Sequence, residues 1–284
     1  MTFNKFSITV KGKSYEFRRP QVMGILNVTP DSFYSGSRMA TDVSLISSRI
    51  RQMLEEGVDM IDIGAYSTRP NADDVAPEEE YRRLSVGLDA IRSIAGDILV
   101  SVDTFRAEIA ERCVKNYGVQ IINDVSGGTL DAAMFDTVAR LEVPYILMHM
   151  RGTPATMQSL TEYTDVTDDV IADLTAKADA LRNRGVKDII IDPGFGFSKT
   201  VDQNYEMMAR LDEFKKMGLP LLVGISRKSM IFRTLGTDAQ HSLNGTTVLN
   251  TVSLMGGAHI LRVHDVKECV ETVKIMGKML GYEY

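Results

Sequence analysis

Polar side chains recur at the ends of apolar stretches in this chain, and their types can carry chemistry. The stretch IIIDPGFGF ends a strand-like run on the carboxylate of Asp192, which the turn residues Pro193 and Gly194 follow. The same layout recurs in ILNVTPDS, VSVDTFR, IINDVSGG, LVGISRKS and LRVHDV, at residues 25–32, 100–106, 121–128, 222–229 and 261–266. Parallel α/β barrels build their active sites from residues at strand ends. The pattern therefore predicts both a barrel and an enzyme.

Five acidic or amide side chains lie within or just after these runs: Asp62, Asp103, Asn123, Asp124 and Asp192. A single Asp at such a place is often only the N-cap of the next helix, which would account for Asp31 or Asp265. Several inward carboxylates repel one another unless a ligand or a cation compensates. A ligand rich in N–H donors, such as an aminopyrimidine ring, suits them because a carboxylate accepts two parallel hydrogen bonds from an amidine-like edge.

Basic side chains follow the same runs. Arg227 and Lys228 come after the seventh strand-like run, and Arg69 comes after the second. Arg262 and His264 close the eighth run two residues apart, which places them on one face of a strand. Surface ion pairs are the alternative explanation. Because barrels often hold phosphate after strands seven and eight, the pattern favours a phosphate or pyrophosphate ligand.

The spacing of the apolar runs predicts the elements that position these residues. Strands are expected to start near Val22, Met60, Ile98, Gln120, Pro144, Ile189, Pro220 and His259. Apolar residues three and four apart between the runs predict helices. Eight strands alternating with eight helices indicate an α/β protein with a (β/α)8 TIM barrel. A doubly wound open sheet is the alternative, since periodicity cannot show closure.

The segment before Pro20 differs from the rest of the chain. FSITVKGKSYEF has Gly12 between two alternating stretches, which predicts a β-hairpin. We expect a single domain over residues 1–284, in which the hairpin of residues 1–20 closes the N-terminal end of a barrel formed by residues 21–284.

Composition excludes several classes of function. The formal net charge of −6 argues against a nucleic-acid surface, which is usually basic. Cys113 and Cys269 lie in helix-like segments without metal or CxxC spacing. The N-terminus is too polar for a signal peptide, and no apolar run approaches the roughly 20 residues of a membrane span. These observations predict a cytoplasmic protein that binds neither nucleic acid nor membrane.

The loops on the predicted catalytic face are long. The connections near residues 28–41, 65–77, 150–165 and 227–240 are rich in Thr, Ser, Pro, Asn and Asp. Long irregular loops in a compact domain are usually functional, so we expect these four to cover the site.

Taken together, these segments resemble the dihydropteroate synthase family of pterin-binding barrel enzymes. The matching stretches are MGILNVTPDSF, STRP, SVDTFR, INDVSGG, DPGFGF, GISRKS and RVHDV, in the family's order between residues 23 and 266. The resemblance implies a transferase of tetrahydrofolate biosynthesis. Its substrates would be dihydropterin hydroxymethyl diphosphate and p-aminobenzoate, and its products dihydropteroate and diphosphate. It also implies a homodimer.

The resemblance implies roles for individual residues, among which Asp103, Lys228 and Asn27 would be catalytic. The pterin would be held by Asp103, Asn123, Asp192, Lys228, Met148 and Gly224. The diphosphate would be bound by Asn27, Arg69, Arg262 and His264, with Asn27 acting through Mg²⁺. The p-aminobenzoate subsite would be framed by Phe33, Ser67, Thr68, Pro70, Phe197 and Ser229. The implied reaction is dissociative, in that diphosphate leaves before the arylamine attacks.

The chain departs from the family pattern near the arylamine subsite. Ala65-Tyr66 stands where Gly-Glu is common, Asn71 stands where Gly is common, and SFYSGS replaces SFSDGG. Two other functions stay open. One is a methyltetrahydrofolate–corrinoid methyltransferase of the same superfamily, which forms no diphosphate and would leave Arg69, Lys228 and the Arg262/His264 pair without a purpose. The other is a non-catalytic pterin-binding paralogue, which is expected to have lost residues of the anion site or the loops.

Overall fold

The N-terminal residues form the predicted hairpin. The protein is described here as a computed structural model covering residues 3–29, 43–66 and 75–284. Strands β1 (Phe6–Val10) and β2 (Lys13–Phe17) pair antiparallel across the turn Lys11-Gly12. Both turn residues have positive φ, 51° and 78°, as in the type I′ turn, whose twist matches that of the paired strands.

Strands and helices alternate through the rest of the described chain. They are β3 (Gln21–Asn27), α1 (Val43–Glu55), β4 (Met60–Gly64), α2 (Pro77–Ile94), β5 (Leu99–Asp103), α3 (Ala107–Tyr117), β6 (Ile121–Asp124), α4 (Met134–Leu141), β7 (Tyr145–Met148), α5 (Val166–Asn183), β8 (Ile189–Asp192), α6 (Val201–Ala209), β9 (Leu222–Val223), α7 (Ser229–Leu235), α8 (Leu243–Gly256), β10 (Ile260–Val263) and α9 (Val266–Leu280). Among these helices, none is both long and apolar enough to cross a membrane.

The eight strands after the hairpin form one parallel sheet in the order β8-β7-β6-β5-β4-β3-β10-β9. A parallel bridge between Ile191 and Leu221 joins β8 to the residue before β9, and the Ile191 amide donates to the Pro220 carbonyl at 2.9 Å. The two edges of the sheet therefore meet. The (β/α)8 prediction is confirmed, and the alternative of an open sheet is wrong.

One connection differs from the expected alternation. Two α-helices, α7 and α8, lie between β9 and β10, so the described residues contain one α-helix more than the eight expected. The cause is Gly236, which ends α7 in the left-handed conformation at φ 64°. A glycine C-cap of this kind stops a helix and redirects the chain.

The inward-facing side chains of the barrel are apolar at its N-terminal end and mostly polar one level above. The lowest level has one apolar side chain from each strand: Met23, Met60, Leu99, Ile121, Ile146, Ile190, Leu222 and Ile260. These residues pack with Ile8, Val10 and Phe17 of the hairpin, which therefore closes the N-terminal end as predicted. Since side chains alternate along a strand, the residues two positions later face inward at the next level. They are Ile25, Asp62, Ser101, Asn123, Met148, Asp192, Gly224 and Arg262, and most of this second level is polar.

Candidate active site

An ion-pair network joins the inward side chains of β4, β5, β6 and β10. Arg262 donates from Nε to Asp62 Oδ2 at 2.6 Å and from Nη2 to Asp103 Oδ2 at 2.8 Å. Asn123 donates from Nδ2 to the same Asp62 oxygen at 3.0 Å. The Asp62 side chain is fully buried, whereas those of Arg262 and Asp103 remain 19% and 15% exposed. The network therefore runs from the closed interior up to the accessible end of the barrel.

Two buried polar atoms of the second level have no hydrogen-bond partner within the described part of the chain. They are Asp62 Oδ1 and Ser101 Oγ, and the two residues lie opposite each other in the pairing of β4 with β5. Buried polar groups are nearly always hydrogen-bonded. Because Asp62 and Ser101 are both fully buried, the two atoms mark the second level as a polar region that continues below the accessible part of the network.

Asp192 has one carboxylate oxygen engaged and the other turned toward the interior. Its Oδ1 accepts from the Gly194 amide at 2.8 Å. Gly194 has φ 71°, and a Cβ there would lie 2.0 Å from the His149 carbonyl oxygen, so only glycine fits this turn. A methyl group on Gly224 would lie 3.9 Å from Asp192 Oδ2 and 3.7 Å from Arg262 Cβ. Asp192, Gly224 and Arg262 are therefore neighbours inside the barrel.

Lys228 reaches across the turn that follows β8. Its Nζ donates to the Phe195 carbonyl at 2.5 Å and lies 4.7 Å from the centroid of the Phe197 ring. Gly196, with φ 80°, leaves room for the lysine stem, because a Cβ there would lie 3.1 Å from Lys228 Cδ. The lysine thus joins the start of α7 to the turn that orients Asp192.

Burial disfavours the charged forms of several of these groups, so it raises the pKa of the carboxyl groups and lowers that of the lysine. It raises the pKa of Asp103 to about 7, although the Arg262 guanidinium opposes the change. It also raises the pKa of Asp192, against the charge of Lys228. The pKa of Lys228 falls to about 8 for the same reason, with Asp192 opposing. Perturbed groups that face one another in a cleft are typical of functional sites.

Two of the predicted anion-binding residues, Asn27 and His264, lie at the carboxyl ends of their strands. His264 follows β10, and its backbone amide donates to Ser226 Oγ at 3.2 Å, the distance that also separates its Nδ1 from the same oxygen. Asn27 ends β3, with Oδ1 3.7 Å from the point where a Cβ on Gly64 would lie. That point is 3.3 Å from Asp103 Cβ, so the amide lies beside the network.

The residues that the structure describes offer little to a magnesium ion by themselves. Within them no group of three or more His, Cys, Asp or Glu side chains could hold a metal. Mg²⁺ keeps several waters and is often bound through one or two protein oxygens together with substrate phosphates. The amide oxygen of Asn27 fits that kind of donor set, in which the ion arrives with a diphosphate.

An apolar wall completes the described part of the site. Met148 and Phe197 pack with Val125, Met150 and Met157 near the mouth of the barrel. Ser229 is the first residue of α7, directly after Lys228. Tyr66 lies edge-on to the Phe105 ring, with 5.0 Å between centroids. The predicted residues Phe33, Ser67, Thr68, Arg69 and Pro70 lie outside the described residues, as do Asn71 and the SFYSGS segment.

Two polar residues from the sequence patterns have structural partners instead. Asp124 follows the inward Asn123 and so faces the other way, where its Oδ2 accepts from the Tyr145 hydroxyl at 2.7 Å and its Oδ1 from the Ser126 amide at 2.7 Å. Arg227 forms a two-pronged ion pair with Asp265, at 2.7 and 2.9 Å. Both residues brace loops rather than face the barrel interior.

Two residues of the site were given no role by the family resemblance. Asp62 was one strand-end carboxylate among several, although it lies two residues after the apolar Met60, at the level of Asn123 and Asp192. Lys199 is 4% exposed beneath the turn after β8. A buried lysine in a loop has no local sequence signature, and only the folded chain reveals it.

A closed parallel barrel with charged residues at its carboxyl end defines an α/β-barrel enzyme. The chain belongs to the pterin binding enzyme family, whose profile matches residues 23–264. It is 40% identical to the dihydropteroate synthase of Escherichia coli, over 95% of each chain. It is also 40% identical to the mitochondrial folate synthesis bifunctional protein of Arabidopsis thaliana, covering 96% of this chain but 52% of that protein. The resemblance drawn from the ordered motifs is confirmed.

A solved structure agrees with the sequence relatives. The dihydropteroate synthase of Xanthomonas albilineans, determined with 4-aminobenzoic acid, superposes with a TM-score of 0.88 at 34% identity. The match covers 97% of this chain and 98% of that one.

Proposed function

We propose that this chain catalyses the dihydropteroate synthase reaction. It would condense a dihydropterin hydroxymethyl diphosphate with p-aminobenzoate to give dihydropteroate and diphosphate. The observation that carries the proposal is the polar second level of the barrel, where Asp62, Asn123 and Asp192 lie together around Arg262. The synthases of this family with known names and structures support the same reaction.

The inward carboxylates and amide suit the edge of a pterin ring. Its amino group and ring N–H groups are donors, and Asp192 Oδ2 and Asn123 are acceptors at one level of the barrel. Lys228, which contacts the turn after Asp192, would donate to the ring oxygen and nitrogen. Because burial raises the pKa of Asp103 and of Asp192, each gains from a ligand donor that favours the ionised form.

Charged residues near the carboxyl end of the barrel would aid the departure of the diphosphate. In the proposed dissociative reaction, the bond between the pterin methylene carbon and the diphosphate oxygen breaks, and the electron pair leaves with the diphosphate. Arg262 and His264 would bind that anion, while Asp103 and Asp192 stabilise the positive charge left on the pterin. Mg²⁺, bound through Asn27 and phosphate oxygens, would supply further neutralisation of the leaving group. Preorganised charge of this kind is often the largest catalytic contribution.

The arylamine would arrive over the apolar wall. Its nitrogen forms the new C–N bond with the pterin methylene carbon and then releases a proton to solvent. Phe197 and Ser229 would border the p-aminobenzoate ring, next to the Lys228 ammonium. The Xanthomonas albilineans synthase with 4-aminobenzoic acid supports a subsite of this kind.

One assay tests the proposed function. The purified protein should release pyrophosphate only when pterin diphosphate and p-aminobenzoate are both present, and dihydropteroate should form in equal amount. A corrinoid-dependent methyltransferase or a non-catalytic pterin-binding protein would release none under these conditions.

We also propose that the chain forms a homodimer through the outer faces of α8 and α9. Val248, Val252 and Met255 on α8 recur at spacings of four and three residues, and Ile275 and Met279 on α9 are four apart, so each set shares a face. All five side chains are exposed, Ile275 and Met279 by 66% each. The two helices pack against each other, and a contiguous apolar patch often marks an association surface.

Light scattering coupled to size exclusion tests the dimer. Ile275→Glu should shift the protein toward a monomer, whereas Lys267→Glu on another part of α9 should not. A wild-type protein that is monomeric at high concentration would rule the dimer out.

A further inference from the structure

The amine of Lys199 is enclosed beneath the turn that follows β8. Its Nζ lies 3.0 Å from the Gly194 carbonyl oxygen, 3.0 Å from the Phe197 carbonyl oxygen and 3.0 Å from His149 Nδ1. The residue is 4% exposed. Enclosing a lysine amine is costly unless it is well hydrogen-bonded, and here all three of its donor positions have acceptors.

The neighbouring residues fix this arrangement to β7. The His149 amide donates to the Asp192 carbonyl at 3.0 Å, which continues the pairing of β7 with β8. Ser198 Oγ accepts from the Arg151 amide at 2.9 Å and donates to the Arg151 carbonyl at 2.9 Å. The residues that accept hydrogen bonds from the Lys199 amine are therefore themselves fixed, and the amine has little freedom to move.

The turn of residues 193–197, next to the Lys199 amine, determines where two pterin-facing groups lie. The Gly194 amide holds Asp192 Oδ1 at 2.8 Å, while the Gly194 carbonyl is held by Lys199. One residue further on, the Phe195 carbonyl accepts from Lys228 at 2.5 Å. A chain of contacts thus runs from Lys199 through the turn to Asp192 and to Lys228.

The positive charge of Lys199 also supports pterin binding, through its effect on the ionisation of Asp192. Burial lowers its pKa to about 7, and the Asp192 carboxylate opposes that change. Burial also lowers the pKa of His149 to about 2, so the imidazole is neutral and can accept from the amine. In return, the cation favours the ionised form of Asp192, the form that accepts from a pterin.

We propose that Lys199 is a positioning residue for the pterin, which sets the turn of residues 193–197 and thereby the orientation of Asp192 and Lys228. The inference rests on the proposed function, because it assigns the pterin to the space beside these two groups. Lys199 does not touch the ligand. Its effect is therefore expected on pterin affinity rather than on diphosphate affinity, since Arg262 and His264 are not attached to this turn.

The test compares two ligands on the same protein preparations. Lys199→Met removes the ammonium and its three hydrogen bonds but keeps an unbranched side chain. Titration calorimetry with 6-hydroxymethylpterin should show affinity about tenfold weaker or worse, whereas magnesium pyrophosphate should bind as in the wild type. Lys216→Met is the matched control, since that side chain is 68% exposed and pairs only with Glu213 among the described residues.

A second variant covers the case in which Lys199→Met does not fold. Lys199→Gln keeps an amide donor and should give an intermediate loss of pterin affinity. Folded variants that bind 6-hydroxymethylpterin as the wild type does would overturn the inference. So would an equal loss of both ligands, which would indicate general destabilisation. A wild-type protein that binds no pterin would instead refute the proposed function.

Discussion

Replacing Asp192 with Asn tests the proposed pterin site most directly, because the structure determines how the new side chain would lie. Asp192 Oδ1 accepts from the Gly194 amide at 2.8 Å. An asparagine would keep its carbonyl oxygen there, since the opposite orientation sets its NH₂ group against an N–H. The NH₂ group then takes the place of Oδ2 and points into the barrel beside Gly224. A pterin donor would meet another donor.

The expected loss follows from the cost of unpaired donors. Leaving a buried donor without an acceptor costs about 1–3 kcal/mol, and more when a charge is lost, which corresponds to roughly a 5- to 150-fold weaker pterin affinity. The substitution also acts on Lys228, because the Asp192 charge opposes the lowering of that lysine's pKa by burial. Without the carboxylate, the pKa of Lys228 should fall further below its usual range.

Titration calorimetry with 6-hydroxymethylpterin measures the loss, and a circular dichroism melt shows that the variant is folded. Asp188→Asn is the matched control at the other end of the same strand, where Asp188 Oδ2 accepts from the Thr9 amide at 3.0 Å. There an asparagine oxygen can keep the bond, so pterin affinity should not change. A folded Asp192→Asn variant with wild-type pterin affinity would remove Asp192 from the site and refute the reasoning.

Four further outcomes are expected. Lys228→Ala should lower kcat/KM for both substrates by an activation free energy far above the roughly 0.5 kcal/mol of a surface change. Unchanged kcat/KM values would show that this lysine takes no part in the reaction. The pH profile of kcat/KM for pterin diphosphate should rise as Asp103 ionises near pH 7 and fall as Lys228 deprotonates near pH 8, and a flat profile across both values would contradict these roles. Asp124→Asn should lower the free energy of unfolding in urea by about 1–3 kcal/mol while pterin affinity stays the same. p-Aminobenzoate should bind weakly to the free protein and tightly once magnesium pyrophosphate and pterin are present; equal affinities in equilibrium binding would show a preformed subsite.

Much of the fold could be predicted because each barrel strand is buried on both faces. Such strands give nearly continuous apolar runs, and the eight runs stand out along the chain. The hairpin was equally visible, since Gly12 is the kind of residue that a type I′ turn requires. The periodicity alone could not show closure, because the bridge from Ile191 to Leu221 joins residues whose contact depends on the twist of the whole sheet. The second helix between β9 and β10 depended on how Gly236 redirects the chain.

The same burial on both faces limited what could be predicted of the site. Ile121 and Ile122 are both apolar, so the sequence does not show which face of β6 is inward. The apolar pattern alone therefore left Asn123 and Asp124 equivalent. The family resemblance selected Asn123, and the structure places Asn123 beside Asp62 and Asp124 against Tyr145. The spacing of Asp62 from Met60 was informative only after the level of Met60 in the barrel was known.

The hairpin has an electrostatic consequence for the site above it. Ile8, Val10 and Phe17 complete the apolar lowest level, so water has no approach to the second level from the N-terminal end. Among the described residues, Asp62 Oδ1 and Ser101 Oγ have no hydrogen-bond partner, and they lie one level above these apolar side chains. Their surroundings have a low dielectric, in which a ligand's hydrogen bonds are stronger and unpaired groups are more costly. A ligand that enters from the carboxyl end meets Arg262 and Asp103, the partly exposed members of this network, and the closed N-terminal end of the barrel directs recognition to that side.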